Sequence, residues 1–157
     1  MSGVGSVLVR HGKSAVFLST ASAGGSLPVV VRGALARRER WNDGPYLARI
    51  VFCQMIRVNE VGADWAADWG IDGTLGYGIS SRLDAAADVA HPVVALSADT
   101  QDVLYLTIED ASHIGEGAAG DVSPLAAWSM SDYVAGRGTN PGCSYRALSR
   151  SGRFRER

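Results

Sequence analysis

The sequence has little of what would mark a secreted, metal-bound or membrane protein. Only two cysteines, Cys53 and Cys143, occur in 157 residues. Two cysteines build no disulfide framework, so a reduced, cytoplasmic setting is expected. Cys53 is read as a small buried hydrophobe. No His/Cys cluster has ligand spacing, so neither a metal nor another cofactor is expected. No apolar run approaches the ~18 residues of a membrane span. No basic amino-terminal stretch precedes an apolar segment with a cleavage site, which argues against a signal peptide. Lysine is nearly absent, with Lys13 alone beside fourteen arginines. Neither sign of charge dominates, and the net charge is −1. Membranes and nucleic acids are therefore not expected partners. The basic carboxyl end, at about 149–157 and preceded by Arg146, is read as a solvated tail.

What is present suits a folded domain. Apolar residues make up 46% of the chain and charged residues 20%, which excludes a disordered composition. A chain of this length buries about two-thirds of its unfolded surface, so residues 1–157 are expected to form one domain. Ser6 to Val9 and Ala15 to Leu18 read as strands, followed by a small-residue loop from Ser19 to Ser26. Leu27 to Trp41 reads as a helix starting near Pro28, stopped by Asn42-Asp43-Gly44-Pro45. Tyr46 to Ile56 reads as a central strand, and Arg57 to Trp69 as a helix with Trp65 and Trp69 on one face. Gly70 to Ser81 is expected to be loop and Leu83 to Ala90 a short helix. Val93 to Leu96 and Val103 to Ile108 read as strands. A loop over Gly115 to Gly120, a helix over Pro124 to Val134 and a strand over Cys143 to Leu148 complete the pattern. Strands alternating with helices predict an α/β three-layer sandwich, with a mostly parallel central sheet and helices on both faces.

The sharpest local feature is Arg10-His11-Gly12, delivered by a strand into a glycine turn. Neutral imidazole is a competent nucleophile near pH 7. Phosphoryl transfer further needs planar cationic donors around the transferred group. The segment resembles the amino-terminal signature of the histidine phosphatase, or phosphoglycerate mutase-like, superfamily. Further stretches follow in that family's order. Leu27 to Ala36 resembles its helix start. Val51 to Arg57 resembles the turn that supplies a second phosphate-binding arginine. Val103 to His113 resembles the strand before a second catalytic histidine, and Asn140 to Leu148 the final strand. The length is similar to the small phosphohistidine phosphatase branch. The chain departs from the family at Lys13, at Val61 where a threonine is usual, in the residues intervening before His113, and at Leu75-Gly76-Tyr77, which lacks the acid.

The resemblance implies a metal-independent phosphatase acting on a phosphomonoester or phosphohistidine, carried by a phosphorylated small molecule or a phosphoprotein. His11 would take the phosphoryl group, Arg10 and Arg57 would bind phosphate with His113 beside them, and Glu109 or Asp110 would move the proton. Two other readings compete. In one, Ser22, Asp99 and His113 form a serine α/β-hydrolase triad, with Thr20 to Gly25 as the nucleophile elbow. In the other, the chain is a catalytically inactive, structural or assembly protein. The tryptophans, Trp128 included, are read as core or interface anchors.

Overall fold

The chain opens with a hairpin. In the computed structural model, which describes residues 4–20, 24–60, 77–83, 91–115 and 122–137, β1 (Gly5–His11) returns as β2 (Ser14–Thr20). The turn between them is Gly12-Lys13, with Gly12 at φ +60°. A type II′ hairpin turn demands that left-handed value of its first central residue. A 3₁₀ turn over Gly24–Ser26 leads into α1 (Leu27–Leu35), which holds Pro28 in its first turn. α2 (Gly44–Glu60) and β3 (Tyr77–Ser80) follow. β4 (Val93–Ser97) and β5 (Asp102–Leu106) make a second hairpin. α3 (Ile108–Gly115), β6 (Ala126–Ser129) and α4 (Met130–Ala135) complete the described elements.

The six strands form one sheet in the order β3-β2-β1-β4-β5-β6. Every pairing is antiparallel except β1 with β4. The fold is thus mixed α/β, but the expectation of a mostly parallel sheet is corrected. Turns of two to four residues join β1 to β2 and β4 to β5, and connections that short permit only antiparallel pairing.

Alternation along the strands divides the core. Val7, Val9, Leu18, Val94, Leu96 and Tyr105 face one side, where α1 (Val31, Leu35), α2 (Leu47, Val51, Met55) and α4 (Met130, Tyr133) cover them. Leu8, Phe17, Val93, Ala95, Leu104 and Leu106 face the other side, with Ala111 of α3 buried against them.

Several local expectations fail for identifiable reasons. Tyr46 to Ile56 is helix, because its buried residues Leu47, Ile50, Val51 and Met55 follow a 3.6-residue period. Cys53 projects from this helix and is exposed. α1 ends at Leu35, six residues before Trp41. Residues 77–80, expected as loop, pair with β2 as an edge strand. The strand expected to reach Ile108 stops at Leu106, and Ile108 begins α3. The helix expected over Pro124 to Val134 splits into β6 and α4 at Met130, because Ala126 and Trp128 alternate inward against β5. The rest of the expected helix beyond Glu60, the helix over 84–90, the loop over 116–120, the strand over 143–148 and the basic tail lie outside the described residues. So do Ser22, Trp65, Trp69 and Cys143. Among the described residues no helix is long and apolar enough to cross a membrane.

Three aromatic rings lock α4 to the sheet. The Tyr133 hydroxyl donates to the Pro28 carbonyl at 2.8 Å and meets the Tyr105 hydroxyl at 3.0 Å. Burial pushes the Tyr105 phenol well above its ordinary value, and the adjacent Tyr133 adds to the rise, while Arg32 opposes it. An unfolded tyrosine ionises near pH 10. The phenol's folded value is raised, so its contribution is complete below about pH 10 and is lost as pH rises beyond that. Urea midpoints measured from pH 8 to 11 should therefore fall at the alkaline end for the wild type, and fall less for Tyr105→Phe.

Candidate functional site

The one parallel pair brings the carboxyl ends of β1 and β4 to the same edge of the sheet. Arg10 pairs with Ser97 there, and the Ala98 N–H bonds the Arg10 carbonyl at 2.9 Å. His11 and Asp99 emerge just beyond. This places an imidazole and a carboxylate from residues far apart in the chain at the rim of the sheet.

Each member of the Arg10-His11-Gly12 motif has a local structural task. Gly12 makes the hairpin turn and donates its N–H to Asp99 Oδ2 at 2.7 Å. The Arg10 Nε donates back to the Gly12 carbonyl at 3.2 Å. The His11 Nδ1 accepts the backbone N–H of Gly44 at 3.2 Å. Gly44 opens α2, and its N–H is one of the donors that a helix start leaves unpaired. Asp43 satisfies another by accepting the Tyr46 N–H at 3.1 Å. His11 and Asp43 together cap α2. Gly44 has to be glycine for this contact, since a Cβ there would lie 2.4 Å from the His11 Cβ.

The tautomer follows from the bond. A nitrogen that accepts an N–H holds no proton, so the neutral ring carries its proton on Nε2. That nitrogen faces Asp99 Oδ1 at 4.0 Å, with both side chains about half exposed. The lone pair on Nδ1 is engaged by α2, and Nε2 is protonated. Neither nitrogen is offered as a free nucleophile.

The other residues of the expected cradle do not gather here. Arg57 is exposed in the last turn of α2. It lies thirteen residues beyond Gly44 on the same helix, which at 1.5 Å per residue is about 20 Å from His11's hydrogen-bond partner. His113 and Glu109 are exposed on α3, and Asp110 is half-buried there. α3 covers the sheet face opposite to α2. The sheet itself therefore separates His113 and the two acids from His11. Arg10 alone of the expected partners is adjacent, and its guanidinium turns back to Gly12. For the hydrolase reading, Asp99 keeps company with His11 and the Gly12 amide, not with His113, while Ser22 lies outside the described residues.

Two shallow cavities, of about 200 and 350 Å³, flank Phe17 and share Arg82 and Leu83. His11 lines neither. Ser6 lines the smaller one, and its buried hydroxyl has no hydrogen-bond partner among the described residues. No group of three or more His, Cys, Asp or Glu side chains among the described residues could hold a metal ion.

The sequence points to this strand end but not to two of its occupants: there Asp99 reads only as a hydrolase acid and Gly44 only as part of a helix stop. The signal for Gly44 was present in Asp43-Gly44-Pro45, which is as good a helix start as a stop. No protein-family model matches the chain, and it has no match among curated proteins or solved structures.

Proposed function

We propose that this domain is a structural or assembly component that carries out no phosphoryl transfer at His11. The observation that carries this reading is the direction of α2. The helix starts on His11 and takes Arg57 away from it, so the second arginine cannot reach a phosphoryl group held there. The engaged Nδ1 of His11 supports the same reading. So does the sheet that stands between His11 and His113. His11 then acts as the cap that ties the first hairpin to α2. Among the described residues, the large apolar side chains left in solvent are Val29 on α1 and Ile79 on the edge strand β3, natural contact points for an assembly partner.

Incubation with p-nitrophenyl phosphate, with and without His11→Ala, tests this directly. The expected result is no turnover above buffer for either protein. His11→Ala should lose about 1 kcal/mol of stability through the lost cap, seen as a modest fall in Tm. Arg57→Ala should alter stability by no more than about 0.5 kcal/mol, as surface substitutions do. Turnover by the wild type that both substitutions abolish would restore the phosphatase reading.

A further inference from the structure

The near-zero net charge conceals a polarised surface. Arg37, Arg38 and Arg40 lie in the loop between α1 and α2, and Arg49 lies on α2. Arg10 precedes the β1–β2 turn and Lys13 lies in it, and the His11–Gly44 contact holds that turn against the start of α2. All six are exposed. The acids beside them are Glu39, Asp43 and Asp99, so the named groups sum to +3 within a chain of net −1. All three acids are engaged locally, Asp99 by the Gly12 N–H and His11. Glu39 accepts the Tyr46 hydroxyl at 3.2 Å. Asp43 caps α2 and approaches Arg40 at 3.8 Å.

The loop backbone adds an independent observation. Arg38 and Arg40 have φ values of 55° and 46°, a conformation that glycine adopts at lower cost. The chain keeps arginine at both positions. Each guanidinium then lies over an aromatic ring. The Arg38 guanidinium carbon lies 5.6 Å from the Trp41 ring centroid, and that of Arg40 lies 4.6 Å from the Tyr46 centroid. Arg49 stacks on the same tyrosine at 5.0 Å. A stacked guanidinium still offers its edge N–H groups to phosphate oxygens. Its exposed face is a platform on which a base can stack. The cations come from three separate elements, a loop, a helix turn and a hairpin turn, which suits a row of phosphates better than a single phosphate.

We infer that this surface binds single-stranded nucleic acid, with Arg37, Arg38, Arg40 and Lys13 on the phosphates and the stacked arginines beneath the bases. The surface would act so whether or not His11 reacts.

Fluorescence anisotropy of the full chain with labelled oligouridylate and oligothymidylate tests the inference. Binding is expected to weaken about fiftyfold between 50 and 200 mM NaCl, as for about four neutralised phosphates on a single strand. Arg38→Gly/Arg40→Gly keeps the left-handed backbone and should weaken binding at least fivefold with unchanged far-UV circular dichroism. Arg37→Glu/Lys13→Glu should do the same. Arg57→Glu, at the far end of α2, should leave affinity within twofold. The inference is overturned by no binding at 50 mM salt, or by loop variants no weaker than Arg57→Glu. Equal affinity for polyglutamate, or for vesicles of anionic lipid, would overturn it as well.

Discussion

Trp128→Ala is expected to lower the unfolding free energy by about 3–5 kcal/mol, as other buried aromatic truncations do. The ring is only 9% exposed although it sits on the last strand of the sheet. It meets Tyr105 edge-on at 4.8 Å and Tyr133 at 5.2 Å between centroids. Each such pair adds about 0.5–1.5 kcal/mol beyond the area buried. Truncation leaves a cavity bounded by the two phenols. Their hydroxyls are held in place through Pro28, so the site cannot collapse freely. Equilibrium urea unfolding reads the effect as a lower midpoint at constant slope. A loss below about 1 kcal/mol would mean that the ring does not anchor α4 to the sheet.

Among the described glycines, Gly5→Ala is expected to be the substitution that the backbone tolerates least. The new Cβ would lie 2.4 Å from the Gly24 Cα and 2.7 Å from a methyl of Leu27. Leu27 could rotate, but the Gly24 contact is backbone and cannot. β1 and the 3₁₀ turn before α1 must separate, which unseats Val30 and Val31 from beneath the sheet. Overpacking of this kind costs about 1–3 kcal/mol. Thermal unfolding should show a fall in Tm of about 4 °C or more for a domain of this size. Gly12→Ala makes a useful comparison, because its Cβ would meet nothing within 4 Å. Any cost there comes from the positive φ alone.

The strands were the legible part of this sequence. Val7 to Val9 and Val93 to Leu96 are short β-branched runs between turn residues, and both are strands. The start of α1 was legible from Pro28. The end was not, because the helix closes on a right-handed Ala36 cap with no glycine, and the left-handed turn comes only at Arg38, two residues beyond. The segment from Tyr46 to Ile56 was the costly misreading. As a strand, it would have carried Arg57 along the sheet beside the other strand ends. As a helix that begins on His11, it carries Arg57 off. The period of Leu47, Ile50, Val51 and Met55 held that answer, but the intervening apolar residues Phe52 and Cys53 masked it. β6 could not be read locally at all. Its alanines favour helix, and only pairing with β5 makes it strand. The motif at residues 10 to 12 marked a real strand end, yet its histidine and glycine serve a helix cap and a hairpin turn. Local sequence does not distinguish those duties from catalysis.

The lone parallel pairing governs how the molecule assembles. The hairpins on either side of it close over a few residues and form independently of one another. Joining them at Val7 and Val94 closes a loop of 87 residues, at a chain-entropy cost of about 4 kcal/mol. Closing that seam is therefore expected to come later in folding than either hairpin, which φ-values at Val7 and Val94 would read. The Gly12–Asp99 hydrogen bond lies across the seam's open end like a clasp, so hydrogen exchange along β1 and β4 is expected to rise when Asp99 is replaced by alanine.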